Sequence, residues 1–231
     1  MKTIRCHQIN DDISTISLDE VDIAPPGAGE VQIRVMACSV NFPDVLMIQG
    51  KYQFAPPLPF APGGEFAGEI VAVGPDVDQF KVGDRAVAGT RYGGFSELVN
   101  AEVQAVKPVP PGISFEKAAA YQTAYLTAYV ALTIRGSLKA GETLLVHGAT
   151  GGVGLAAVDL GKHLGATVIA TGGTDEKLAV VKARGADHVI NYTLPDDSLG
   201  GFREKVKGLT DGLGADVVFD PVGGSVFDES M

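Results

Sequence analysis

The chain has 231 residues, and its 18 Lys and Arg against 28 Asp and Glu give a formal charge of −10 and a pI near 4.8. That balance argues against nucleic acid and anionic membrane surfaces as main partners. Its two cysteines, Cys6 and Cys38, make no disulfide framework and fit a reducing compartment. No apolar signal core opens the chain and no run is long enough to span a bilayer, so the cytoplasm is the expected location. The length allows two modest domains, each with its own core.

The first half reads as short strands broken by Pro and Gly clusters. Residues 30–35 alternate apolar and polar after Pro25-Pro26-Gly27, as a half-buried strand should. Residues 69–73 and 84–88 are further strands between glycine turns, and 107–112, with three prolines, form a stiff connector. From 115 to 133 the pattern is helical, with Tyr121, Tyr125 and Tyr129 spaced by four as one packed helix face.

The most specific stretch follows. The apolar run 144–146 ends in His147-Gly148-Ala149-Thr150-Gly151-Gly152-Val153-Gly154, and a helical pattern with Val153, Ala157, Leu160 and Leu164 on one face starts at once. A strand, a glycine loop and a helix in that order form a dinucleotide-binding unit, whose backbone N–H groups and helix N-terminus favour a pyrophosphate. Ala149, Gly151, Gly152, Val153 and Gly154 are the expected cofactor-binding residues, with Ala149 in place of the usual first glycine. Gly165 then ends the helix, and residues 167–170 make the second strand. Thr174 is placed to cap the next helix, with Asp175 and Glu176 in its first turn. Residues 187–190 and 215–219 are the third and fourth strands. None of the four histidines has ligand spacing, and His147 reads as a packed strand-end residue.

A site for NAD normally places Asp or Glu about 20 residues beyond the loop, against the ribose 2′-hydroxyl. Here the second strand ends in Thr171-Gly172-Gly173 without a carboxylate. The glycines leave room for a 2′-phosphate. Lys177 is near enough to neutralise it, or is simply a solvated helix lysine. The pattern favours NADPH over NADH.

Asn41-Phe42-Pro43-Asp44, Ile48-Gln49-Gly50-Lys51-Tyr52, Pro62-Gly63-Gly64-Glu65 and Val82-Gly83-Asp84-Arg85 occur in an order that resembles the medium-chain dehydrogenase/reductase superfamily. Within it, the chain is similar to the zinc-free NADPH:quinone oxidoreductases, the relatives of zeta-crystallin. The resemblance implies an α/β protein with a GroES-like β-rich catalytic domain over 1–122 and a Rossmann domain, a doubly wound parallel sheet, over 123–231, with a cofactor cleft between them. The sheet should continue past its fourth strand. The expectation is therefore a chain truncated there by on the order of 60 residues, with an exposed apolar edge, a missing return segment and a homodimer only at full length.

The zinc branch of this superfamily has a Cys three residues before an Asp and a Gly-His-Glu. Asn41 and Gly64 stand in those places here, and two cysteines cannot supply a four-thiolate lobe, so no zinc is expected. Hydride transfer without a metal suits quinones, or conjugated enones, acrylates and enoyl thioesters, whose π-systems spread the charge. The resemblance places Asn41 and Tyr52 near nicotinamide and substrate. Asn41 acts there by position, and Tyr52 is either a proton donor or an aromatic that shapes the pocket. It also places Thr127 at the nicotinamide end, Gly173, Lys177 and Tyr192 around the 2′-phosphate, and Val222 and Gly223 beside the nicotinamide ribose. A non-catalytic nucleotide-binding or crystallin-like structural role is the alternative from a different class.

Overall fold

The computed structural model describes residues 1–193 and 200–231. They divide into two compact units, Met1–Thr123 and Ala124–Met231.

The first unit opens with an antiparallel pair, β1 (Lys2–Arg5) and β2 (Ser17–Glu20). There follow β3 (Glu30–Cys38), α1 (Phe42–Ile48), β4 (Glu65–Val73), β5 (Arg85–Gly89), β6 (Leu98–Glu102), β7 (Val106–Pro108) and α2 (Phe115–Ala119). The last five strands form one antiparallel sheet in the order β6-β3-β4-β5-β7. Strand side chains alternate between faces. Val31, Ile33, Phe66, Ile70, Ala86 and Ala88 accordingly build one core, while Ala67 and Val87 turn to the other face, against Val109 and the Ala118-Ala119 end of α2. Strand β3 runs three residues past the alternating segment 30–35, and its pairing with β4 carries register shifts at Gln32/Ile33 and Val35/Ala37 that break the period of two.

The helix expected over 115–133 is instead three pieces. Ser114 caps α2 by accepting from the Lys117 N–H, and Ala120 leaves helical geometry (φ −108°, ψ 3°). A second helix, α3 (Gln122–Tyr129), then starts afresh and passes into a π-helical turn, Val130–Arg135. The three tyrosines do not form a packed face. Tyr121 lies in the turn before α3, Tyr121 and Tyr129 are each 48% exposed, and only Tyr125 is tied down, its hydroxyl donating to Asp159 at 2.8 Å.

In the second unit β8 (Thr143–Val146), α4 (Gly152–His163), β9 (Thr167–Gly172), α5 (Asp175–Ala183), β10 (His188–Asn191), α6 (Arg203–Leu209), β11 (Val217–Phe219) and α7 (Ser225–Ser230) follow one another. The sheet is parallel in the order β10-β9-β8-β11. Leu144 and Val146 of β8 pack with Ala156, Ala157 and Val158 of α4 and Val181 of α5. Leu145, between them, faces Ile169, Ile190, Phe202, Val206 of α6 and Val226 of α7. Both faces are thus covered by helices, as a parallel sheet requires. The strand order reverses between β8 and β11, the point at which open α/β sheets bind ligands beyond their strand ends. Among the described residues no helix is long and apolar enough to cross a membrane.

Candidate active site

Beyond β8 the chain turns through Gly148, whose φ is +56°, and enters α4 with Gly151 as its N-cap residue. The loop is fixed by Ala149 N–H donating to the Thr171 carbonyl at 3.0 Å and Gly151 N–H to the Gly148 carbonyl at 3.0 Å. The glycines divide into two kinds. A Cβ on Gly154 would lie 2.3 Å from the Gly148 oxygen and 2.8 Å from the Ala149 Cα, so this position must lack a side chain for the loop to close on the helix. A Cβ on Gly151 would meet only the Gly148 oxygen at 3.5 Å, and one on Gly152 nothing within 4 Å. The fold does not require those two glycines. The N–H groups of Gly152, Val153 and Gly154 have no acceptor among the described residues, as expected for a first helical turn. Open space, free donors and the positive end of a twelve-residue helix together suit a phosphate.

The loop after β11 meets this one, since a Cβ on Gly148 would lie 3.0 Å from Val222. Asp220 shapes it by accepting from the N–H groups of Val222 (2.8 Å) and Gly223 (3.0 Å), and Gly223 has φ +72°. At the end of β9, a Cβ on Gly173 would touch only Thr193, at 3.5 Å, while Gly172 is packed against Thr150 and Leu178. Lys177 is exposed in the first turns of α5 and forms no ion pair among the described residues. Tyr192, by contrast, is 7% exposed in the core with Phe202 and Val226, and burial raises its phenol pKa. Of the three residues expected around a 2′-phosphate, it is the one turned inward. Thr127 is exposed on α3.

His147 is fully buried on the edge of the Phe202 ring. The Ser230 hydroxyl donates to the Val226 carbonyl at 2.7 Å, so its oxygen accepts from His147 Nε2–H at 2.9 Å. Nδ1 then accepts from the Thr171 hydroxyl at 2.8 Å. The imidazole is neutral, and burial lowers its pKa. It is the packed strand-end residue that its sequence context implied.

The first unit brings Asn41, Asp44, Tyr52, Phe54, Gly64, Thr90, Arg91 and Thr123 around a cavity of about 500 Å³. Behind Asn41 and Thr123 of this lining lies a buried carboxylate network. Glu65, 1% exposed, accepts from the N–H groups of Gln122 and Thr123 (3.2 Å), from Ser39 Oγ (3.1 Å) and from Asn41 Nδ2 (3.4 Å). Asn41 Nδ2 also donates to Ser39 Oγ at 2.8 Å, so its amide is held in place. Asp44 accepts from the N–H groups of Asn41 (2.7 Å) and Gly63 (3.0 Å), and burial nonetheless raises its pKa. Tyr52 packs beside Met47, Ile48 and Phe60, and its hydroxyl has no hydrogen-bond partner among the described residues. Glu65 as the organiser and Arg91 on the rim escape sequence reasoning, because their partners lie 24–58 positions away or in a loop with no motif.

Residues 152–231 match the zinc-binding dehydrogenase family, and residues 27–111 the alcohol dehydrogenase GroES-like domain. The chain is 38% identical over 217 residues to quinone oxidoreductase-like protein 2 of Mus musculus, covering 94% of this chain and 61% of that protein. A quinone oxidoreductase of Pseudomonas syringae has 36% identity and a TM-score of 0.90, over 99% of this chain and 69% of that one. The Escherichia coli quinone oxidoreductase solved with NADPH has 34% identity and a TM-score of 0.91, over all of this chain and 69% of that one. The chain belongs to the quinone oxidoreductase-like proteins of the medium-chain dehydrogenase/reductase superfamily. It spans about three fifths of the length of the mouse relative (61%).

The matched family description names zinc, and this quinone oxidoreductase-like chain does not offer a fitting donor set. Asn41 and Gly64 provide neither thiolate nor imidazole, and any Cβ at Gly64 would press on the Thr90 carbonyl at 3.1 Å. The Cys38 thiol is pushed up to about 12, first by burial and then by the Asp44 and Glu65 carboxylates, and it donates to the Glu65 carbonyl. A thiol so held resists the deprotonation that zinc needs. A dinucleotide fits better, because the space over Gly151 and Gly152 is free of side chains.

Proposed function

We propose that this chain serves NADPH-dependent, zinc-independent reduction of quinones, the first unit shaping the acceptor pocket and the second holding the nucleotide. The carrying observation is that Asn41 and Tyr52, whose hydroxyl has no partner among the described residues, line one aromatic-walled cavity. Bound NADPH would supply the hydride. The chain's own residues do the rest. Gly152, Val153 and Gly154 receive the pyrophosphate on backbone N–H groups and Gly151 leaves it room, with Ala149, Val222 and Gly223 shaping the loops beside it. Lys177 and the space at Gly173 favour the 2′-phosphate. Tyr192 supports that corner from the core, and Thr127 contacts the nicotinamide end. Asn41, held by Ser39 and Glu65, orients the acceptor. Tyr52 donates its phenolic proton to the acceptor oxygen as negative charge develops there and recovers it from water, so one hydride and one proton convert quinone to hydroquinone.

Oxidation of NADPH by a panel of quinones and enones tests this reading. Tyr52→Phe should lower kcat by about a hundredfold with little change in KM, whereas an unchanged kcat reduces Tyr52 to a pocket wall. Lys177→Ala should weaken NADPH about tenfold and leave NADH alone, because an exposed charge-assisted contact to phosphate is lost. Equal affinity of the unmodified chain for both cofactors refutes the cofactor choice. Enones turned over in preference to quinones would favour reduction of activated C=C bonds, and tight nucleotide binding without turnover would favour the non-catalytic alternative.

A further inference from the structure

The guanidinium of Arg91 lies over the Phe54 ring, 4.7 Å from its centre, and both residues line the acceptor cavity. Tyr92 stacks on the same ring at 6.1 Å and meets Phe60 edge-on at 6.3 Å. Thr90 braces the turn by donating its hydroxyl to the Tyr92 carbonyl at 3.0 Å. Arg91 is exposed, yet its head is seated on an aromatic ladder. Among the described residues no carboxylate pairs with it. The other charged residue of the lining, Asp44, has its two oxygens occupied by backbone N–H groups. An arginine seated on a ring by its cationic head still has N–H donors to give a planar anion, and the aromatic contact limits the rotamer freedom lost on binding.

We infer that Arg91 is a specificity residue, and that the pocket takes acceptors bearing an anionic substituent, a carboxylate or sulfonate, on or beside the conjugated system. This rests on the acceptor-pocket reading above. Phe54 seats the guanidinium at the cavity, and Arg91 pairs there with the anion of the acceptor. In a chain of net charge −10, a cation on the rim that is unpaired among the described residues also favours the approach of an anionic acceptor.

Naphthoquinone sulfonate and unsubstituted naphthoquinone are the probes, compared in native chain, Arg91→Met and Arg91→Lys. The sulfonate alters the quinone's electronics as well as its charge, so the change in their kcat/KM ratio between variants is the readout. We expect Arg91→Met to cut that ratio about tenfold through KM, the sulfonate losing more than the neutral quinone, and Arg91→Lys to retain part of it. Rising salt should erode the native preference, since the cation is exposed. Turnover of neutral quinone with a ratio indifferent to Arg91 overturns the inference while leaving the oxidoreductase reading intact. If neither quinone is turned over, that reading fails instead. Calorimetric titration of the sulfonate into each protein without NADPH then decides the inference alone, equal affinity in native chain and Arg91→Met being the result that overturns it.

Discussion

The glycine loop of the parallel sheet and the cavity of the β-rich unit, proposed above as nucleotide site and acceptor pocket, are built on opposite plans. The first works through backbone. Its ligand-facing groups are N–H donors of consecutive residues at the start of α4, and its side chains matter chiefly by being absent at Gly151, Gly152 and Gly154. The second works through side chains drawn from four segments, around Asn41, Tyr52, Arg91 and Thr123, with a buried carboxylate that holds Asn41 and Thr123 in place. A backbone site is compact in sequence and tolerates little change of conformation. A side-chain site is scattered and stands on whatever anchors it.

The largest effects should come from separating the two kinds of glycine. Gly154→Val sets a side chain into the Gly148 carbonyl at 2.3 Å. The loop must open or the helix shift, which costs about 3 kcal/mol or more and should raise the Kd for NADPH at least about a hundredfold. Gly152→Ala meets nothing within 4 Å. It should leave Tm unchanged or slightly higher, because alanine improves a helical position by roughly 0.5–1 kcal/mol. NADPH affinity should still fall, about tenfold, as the methyl group takes space left for phosphate. Thermal melts and calorimetry on both variants check this. A Gly152→Ala chain that binds NADPH normally would end the distinction between fold glycines and ligand glycines.

That contrast also sets how much was legible in sequence. The order strand, loop, helix at 143–163 could be read because its signal is local: apolar residues, then glycines, then a helical period. Asn41 and Tyr52 could be placed only by resemblance, since nothing in their own surroundings marks them as facing one cavity. The broken helix over 115–133 was hidden for the same reason. Its composition is uniformly helical, and what restarts it at Gln122 is a carboxylate 57 positions earlier in the chain. Tyr192 is placed around the 2′-phosphate by resemblance alone, and its burial follows from the alternation of β10, which turns Ile190 and Tyr192 into one core.

Glu65 tests whether the acceptor pocket depends on its anchor as strongly as this implies. Glu65→Ala would strand the N–H groups of Gln122 and Thr123 and release Ser39 and Asn41. Leaving several buried donors unpaired should cost about 3 kcal/mol. Glu65→Gln keeps one acceptor and turns an NH₂ toward the others, for roughly half that loss. Chemical denaturation measures both. If Glu65→Ala were as stable as the native chain, the network would be incidental and Asn41 would need another source of its orientation.

The smallest effect concerns His147, which stands at the backbone site yet acts through its side chain. Burial lowers its folded-state pKa below the ordinary 6.5, and the Asp220 and Glu229 carboxylates only partly offset this. The unfolded chain therefore takes up a proton near pH 6.5 that the folded chain refuses. Stability attributable to this group is full above pH 6.5 and is lost as pH falls from there toward the folded pKa, by up to about 1.4 kcal/mol per pH unit. Protonating Nδ1 would also reverse the 2.8 Å contact with Thr171, whose hydroxyl proton would have to turn to the Val146 carbonyl at 3.5 Å. Replacing the imidazole by His147→Gln should flatten the fall in stability between pH 6.5 and 5.5, a range in which exposed carboxylates contribute little. Denaturant titrations of the two proteins across that interval would show it. A slope indifferent to the substitution would mean that the imidazole titrates normally. It would then lie open enough to act as a base beside the nucleotide loop, whereas a flattened slope marks it as scaffolding that joins Thr171, the loop and α7.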